Sequence, residues 1–286
     1  MRESQADKYR RWRNRIDVGY KWLKNQSQDW QKFRDAYDGT ILSSEKSDFK
    51  DLCSVNLQYV DVRSSIPKLY NQNPYAYIDP ETPEADLFAE IMERVVNAQM
   101  DVAWQLKRRM RDAIKAAKVD GRSYIKVSYK FDKDKIGRDY MGNEPNDEIS
   151  ISVVLRKNLI IPRDCTSVAD ARWVIHRVED QIGNIRAKYR LKDTDKPTVV
   201  HMSDEEKEDF RYGCYYEIED RVERTLSIVV DGVDRLVVPP YDFPYKFYTM
   251  YEPIEWNNLP GDNDTRADLH FWWRQLQQLA EEETMR

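Results

Sequence analysis

The stretch NLQYVDVRSSIPKLYNQNPYAYIDP, residues 56–80, decides the reading of the fold. Leu57, Val60, Ile66 and Leu69 fall at helical spacing and predict a helix with one apolar stripe. Two X-Pro pairs, Asn73-Pro74 and Asp79-Pro80, push the preceding residues out of the helical region and end that helix. Tyr75, Tyr77 and Ile78 between them predict a short extended segment. An amphipathic helix that leaves through a proline-bounded extended segment sets a helical N-terminal half against whatever follows.

Upstream, residues 3–38 read as one long helix. Tyr9, Trp12, Ile16, Tyr20, Leu23, Trp30, Phe33 and Tyr37 recur at steps of three, four or seven, and Gly39 offers a C-cap. Lys8, Arg10, Arg11, Arg13 and Arg15 crowd its first half, as a phosphate-binding arm or as the solvated face of a packed helix would. Downstream, Pro83 sits at a helix start, and about 36 residues from Glu84 to Val119 read as a third helix. Its stripe is Leu87, Ile91, Val95, Met100, Trp104, Leu106, Met110 and Ile114. Acids gather early (Glu84, Asp86, Glu90) and bases late (Lys107, Arg108, Arg109, Arg111, Lys115, Lys118), which suits the helix dipole.

At Asp120-Gly121 the period changes from helical to alternating. Ser123–Phe131 and Glu148–Leu155 predict a hairpin with a charged tip. The tip has Asp132, Asp134 and Gly137 in EF-hand order, but Ile136 and Asn143 stand where calcium needs oxygen ligands, so a turn is the reading. Two strand-like runs then flank Ile161-Pro162-Arg163-Asp164, a short helix covers 180–190, and 192–211 reads as a polar surface loop. Residues 213–250 predict a meander with Asp231-Gly232 as a turn. From Asp264 the chain returns to helix, with Leu269, Trp272, Trp273, Leu276 and Leu279 as its stripe.

Three segments together resemble the portal proteins of tailed bacteriophages, the head-to-tail connector subunits. In the first, Asn56, Val60, Arg63, Pro67, Leu69, Tyr70, Asn73, Pro74 and Pro80 carry the likeness. Asp120, Gly121, Ile125, Val127 and Tyr129 fit that family's helix exit and first strand. Pro162, Asp164, Ser167, Asp170, Ala171, Trp173, Val174 and Arg177 match its second signature. Tyr216, Asp220, Pro240, Tyr241, Pro244 and Phe247 match its third. The resemblance spans most of residues 50–286. It stops where the family's first stem helix would run, before the clip, second stem helix and crown.

It implies an α+β chain: long N-terminal helices, an antiparallel sheet as a wing-like body, and a C-terminal stem helix. The corresponding divisions are an N-terminal helix (1–45), the wing-like domain (46–263) and the start of the stem helix (264–286). It also implies a subunit of a homo-oligomeric ring, usually of twelve, at one capsid vertex of the virion. Double-stranded DNA would pass through that ring. The major capsid protein or scaffold, the large terminase subunit and a head–tail adaptor would be its partners, with no membrane. Phe271, Trp272 and Trp273 spread over more than one helix face and are the candidates for contact between subunits.

Composition is compatible with this and with little catalysis. The 286 residues are 41% hydrophobic and 34% charged, with net charge −5, eight Trp, eighteen Tyr and nine Gly. The chain is large enough for real cores, and a net acidic chain does not grip nucleic acid as a whole. Cys53, Cys165 and Cys214 are scattered, which argues for a reducing compartment and against a disulfide framework or structural zinc. No apolar run is long enough to span a bilayer and Met1 leads into a charged helix, so synthesis in the host cytoplasm is expected. Phosphate-loop, dinucleotide, zincin and nucleophile-elbow motifs do not occur. His176, His201 and His270 are isolated, and the acids at 205–209 and 262–268 read as loop solubility and capping. No enzyme activity, cofactor or metal is expected. The alternatives are a DNA-binding adaptor using the two basic helices and a metal-dependent nuclease using scattered carboxylates.

Overall fold

A computed structural model describes residues 3–38, 57–137, 144–165, 167–202, 211–242 and 249–256. Asn56, the tip of the first hairpin, Pro244, Phe247 and the whole of 264–286, with Phe271, Trp272 and Trp273, lie outside the described residues.

The chain is mixed α+β with two antiparallel sheets. Its helices are α1 (Gln5–Asp38), α2 (Leu57–Leu69), α3 (Asp86–Ala98), α4 (Leu106–Asp120) and α5 (Ile182–Tyr189). The strands are β1 (Arg122–Gly137), β2 (Glu144–Leu155), β3 (Leu159–Ile160), β4 (Trp173–Gln181) and β5 (His201–Met202), then β6 (Arg211–Asp220), β7 (Thr225–Val230), β8 (Leu236–Asp242) and β9 (Met250–Glu255). Two compact units result: residues 1–28 with 156–248, and residues 29–155 with 249–286. No described helix is long and apolar enough to cross a membrane.

The first unit holds the larger sheet, ordered β3-β4-β6-β7-β8, with β5 pairing β6. Register places Trp173 opposite Asp220 and Arg177 opposite Tyr216. Ile185, Tyr215, Ile228, Val230 and Val233 form one core cluster under α5. From α1, Trp12, Ile16 and Leu23 are buried, the face that the spacing of the apolar residues predicts. That helix comes very close to the sheet: a Cβ added at Gly19 would stand 2.3 Å from Ile160 Cγ2. Only a residue without a side chain fits there.

The second unit packs α4 on the sheet β2-β1-β9. Ala113, Ile125 and Ile151 form its buried centre, flanked by Trp104, Leu106, Met110, Val127, Val153 and Ile254. Small alanines on α4 let the helix lie close, and the Ser123 hydroxyl donates to the Ala113 carbonyl at 2.7 Å. The sequence reading of a single sheet region thus resolves into two sheets, because β9 pairs with β1 rather than with its neighbour β8.

One helix expectation is corrected. Residues 84–119 do not form a continuous helix. A 3-10 turn at Pro83–Ala85 leads into α3, a π turn follows at Gln99–Ala103, and Gln105 is left-handed at φ 46° before α4 begins. The Trp104 amide reaches back five residues to the Gln99 carbonyl at 2.8 Å. Arg109 Nε then satisfies the Trp104 carbonyl at 2.8 Å. No Gly or Pro lies between Glu84 and Asp120, so the sequence carries no breaker signal for this interruption.

At the far end of α4, Asp120 is 3% exposed and accepts from both Arg34 Nε, at 2.8 Å, and Arg34 Nη2. Burial opposes the Arg34 charge, but the Asp120 hydrogen bond outweighs it and raises the guanidinium pKa. Removing one partner leaves a half-buried cation without its counter-charge. Asp120→Ala is expected to cost about 3–5 kcal/mol, read as a lower urea midpoint, with Asp120→Asn recovering part of the loss.

Candidate functional site

Residues of two sequence signatures meet on one cleft of the first unit. Pro162, Asp164, Trp173 and Asp220, from two separate signatures, line it together with Arg11, Arg15, Arg172, Val222 and Glu223. Its volume is about 270 Å³. The β3–β4 connection brings Pro162 and Asp164, the antiparallel β4–β6 pair brings Trp173 and Asp220, and α1 supplies the two arginines.

Arg15 is the centre of this cleft. Its guanidinium carbon stands 4.6 Å from the Trp12 ring centroid and 5.4 Å from that of Trp173. The two indoles meet edge to face, 6.3 Å apart at 80°. Stacking a planar cation on two aromatic faces is favourable and specific to arginine. Burial, followed by the neighbouring Arg11, lowers the Arg15 pKa. Arg11 bridges Glu3 at 3.0 Å and Glu223 at 3.6 Å. Asp220 is buried, and its carboxylate accepts the amides of Val222 and Glu223 at 3.0 and 3.1 Å, shaping the β6–β7 turn. Arg172 and Asp164 pair at 3.4 Å on the exposed rim. Three cations face three carboxylates, so the cleft is balanced rather than strongly charged.

The basic run of α1 is therefore neither a free phosphate arm nor a solvated face. Lys8 binds Glu223 at 3.0 Å and Arg13 binds Asp231 at 2.7 Å. Tyr9 donates to Asp234 at 3.3 Å. Only Arg10 of that run stands out in solvent, 3.9 Å from Asp7. The basic run of α4 is tied down in the second unit. Lys118 is buried and reaches Asp61 at 2.6 Å, Lys107 donates to Asn73 at 2.6 Å, and Arg111 donates to the Tyr70 carbonyl at 3.3 Å.

The signature residues of the first segment and of the helix exit sit in the second unit. Arg63 is exposed over the Tyr59 ring and donates to its hydroxyl. Pro67 lies inside the last turns of α2, and the Tyr70 amide reaches the Ile66 carbonyl at 3.0 Å. Pro74 opens the extended segment that α3 holds through Asn97, whose carbonyl oxygen accepts the Ala76 amide at 2.8 Å. Gly121, at φ 82°, caps α4, and its carbonyl accepts the Trp256 amide at 2.9 Å. Sequence reasoning missed the Arg15–tryptophan stack and the Arg34–Asp120 and Lys118–Asp61 pairs. An Arg three residues beyond a tryptophan on a helix was the available signal for the first. The other two join residues far apart in sequence and left none. Among the described residues no group of three or more His, Cys, Asp or Glu side chains is placed to hold a metal ion.

Two outcomes test the cleft. Arg15→Ala should destabilise the fold by about 1–2 kcal/mol through the lost cation–π contacts, and Arg15→Lys should recover only part, both read by tryptophan-monitored thermal unfolding. Glu223 is held below the usual carboxylate range, first by the Lys8 hydrogen bond. A depressed carboxyl stabilises above its unfolded pKa and loses that contribution as pH falls through the folded value. Glu223→Gln should therefore flatten the acid side of the stability–pH profile, with its effect vanishing once the wild-type carboxyl is itself protonated.

No family model matches this chain, and no curated protein does either.

Proposed function

We propose that this chain is a portal subunit of a tailed bacteriophage. It forms a ring at a unique capsid vertex, passes double-stranded DNA during packaging and ejection, and docks the terminase and a tail adaptor. The observation that carries this reading is the meeting of Pro162, Asp164, Trp173 and Asp220 on one cleft. They resemble the family's motifs in two distant stretches, and here they share one structural neighbourhood.

The charge distribution supports the same reading. Lys8, Arg11 and Arg13 of the basic run of α1 are balanced by carboxylates of the same unit, and a channel subunit serves best without a continuous basic face, since each neutralised phosphate adds salt-sensitive affinity. This weighs against the DNA-binding adaptor, which needs those helices free. A metal-dependent nuclease needs convergent carboxylates, and Asp220, Glu223 and Asp231 serve a turn and ion pairs instead.

The test is electron microscopy and mass photometry of the purified chain, with nuclease and ATPase assays in parallel. Rings of about a dozen copies without hydrolytic activity are expected. A monomer that shifts duplex DNA, or metal-dependent cleavage lost on mutating a carboxylate, would overturn the proposal.

A further inference from the structure

Helix α3 has two apolar faces and uses only one. Ala89 is its only buried residue, and half-buried Met92, Glu93, Val96 and Asn97 lie on that side. Glu93 and Asn97 hold the extended segment 75–78, with Glu93 accepting from Tyr75 and the Ile78 amide. On the other side Leu87 is 69% exposed, Phe88 67%, Ile91 51% and Val95 48%. At 100° per residue these four lie within an arc about 100° wide. The sequence reading puts Leu87, Ile91 and Val95 on one apolar stripe, and the structure leaves that part of the stripe exposed. A contiguous apolar stripe of large side chains along three turns is an interaction surface, not the scattered apolar exposure of an ordinary surface.

The charge around the stripe indicates what covers it. Glu81, Glu84 and Asp86 make the N-terminal end of the stripe acidic, while further along Arg94 bridges Glu90 at 2.6 Å. Past the π turn, a concave surface of about 490 Å³ is lined by Asp101, Val102, Gln105, Lys107, Arg108, Arg111 and Asp112. Three bases outnumber the two acids there, and Lys107 and Arg111 donate to neutral acceptors, Asn73 and the Tyr70 carbonyl. Val102, 76% exposed, adds an apolar floor. One element thus presents an apolar stripe with an acidic flank at one end and a basic hollow with an apolar residue at the other.

We propose that the α3 stripe of one copy docks head to tail against the basic hollow at the α3–α4 junction of a second copy. Opposite charges flank an apolar contact, so the two surfaces attract while like ends repel. A head-to-tail contact is heterologous and generates rings when its rotation closes. The inference deepens the ring reading and rests on it only for that closure.

The experiment uses the full chain. Ile91→Glu with Val95→Glu spoils the stripe, and Val102→Glu with Arg108→Glu removes the apolar floor and reverses the charge of the hollow. All four positions are exposed, so circular dichroism melts should match wild type. Sedimentation velocity of each double variant should show association weakened at least tenfold. An equimolar mixture of the two should give heterodimers that grow no further, because each retains one competent surface. If both variants assemble as wild type does, or the mixture stays monomeric, the proposed contact is overturned while the ring reading stands. A monomeric wild type overturns both.

Discussion

A helix that lays a basic face against a sheet must find a counter-charge for each cation it desolvates, and α1 depends on that constraint. Trp12, Ile16 and Leu23 draw the helix down by burying apolar surface. Burial at that face brings Lys8, Arg11 and Arg13 with it, and an unpaired buried cation would cancel much of the gain. The loops at the near end of the sheet answer with Glu223, Asp231 and Asp234. Arg15 is held by two indole faces, with Asp220, Glu3 and Glu223 acting on its charge through space. The acidic turns β6–β7 and β7–β8 are therefore part of the seat of α1, not solvent-facing decoration.

This arrangement bears on what the charges can do. Sequence alone reads five cations in eight positions as a candidate arm for phosphate. In the folded chain most of them are neutralised locally, and the field they project is short-ranged and screened. The cleft behaves likewise, with arginines and carboxylates interleaved. Such surfaces favour geometrically specific protein contacts over general attraction to a polyanion.

Much of the architecture was legible because it rests on local periodicity. The α1 stripe, the switch to alternation after Gly121, the α5 helix and the Asp231-Gly232 turn follow from spacing and turn chemistry. The pairing of β9 with β1 was not legible, since strand partners depend on a return of more than a hundred residues that no local pattern records. Nor was the cleft. Pro162, Asp164, Trp173 and Asp220 were singled out separately, and their convergence with Arg11 and Arg15 depends on the β4–β6 register and on Gly19 letting α1 approach. The exposure of the α3 stripe was not legible for a plain reason: periodicity reports which residues share a face, not whether the chain itself covers it.

The interruption between α3 and α4 makes sense in those terms. A left-handed Gln105 costs about 1–2 kcal/mol relative to a helical residue, and the π turn inserts one residue into the helical repeat. Two features offset that cost. Arg109 satisfies the carbonyl that the break frees, and Trp104 and Leu106 pack against the Ala113–Ile125–Ile151 cluster. The break frees α4 from the course of α3, so Ala113 and Ala117 can face the sheet closely. It also frees α3 from the sheet, which leaves its apolar stripe outward. A continuous helix would have forced one choice of face on both segments. The strain at Gln105 thus separates a helix that builds the core from a helix that presents a surface.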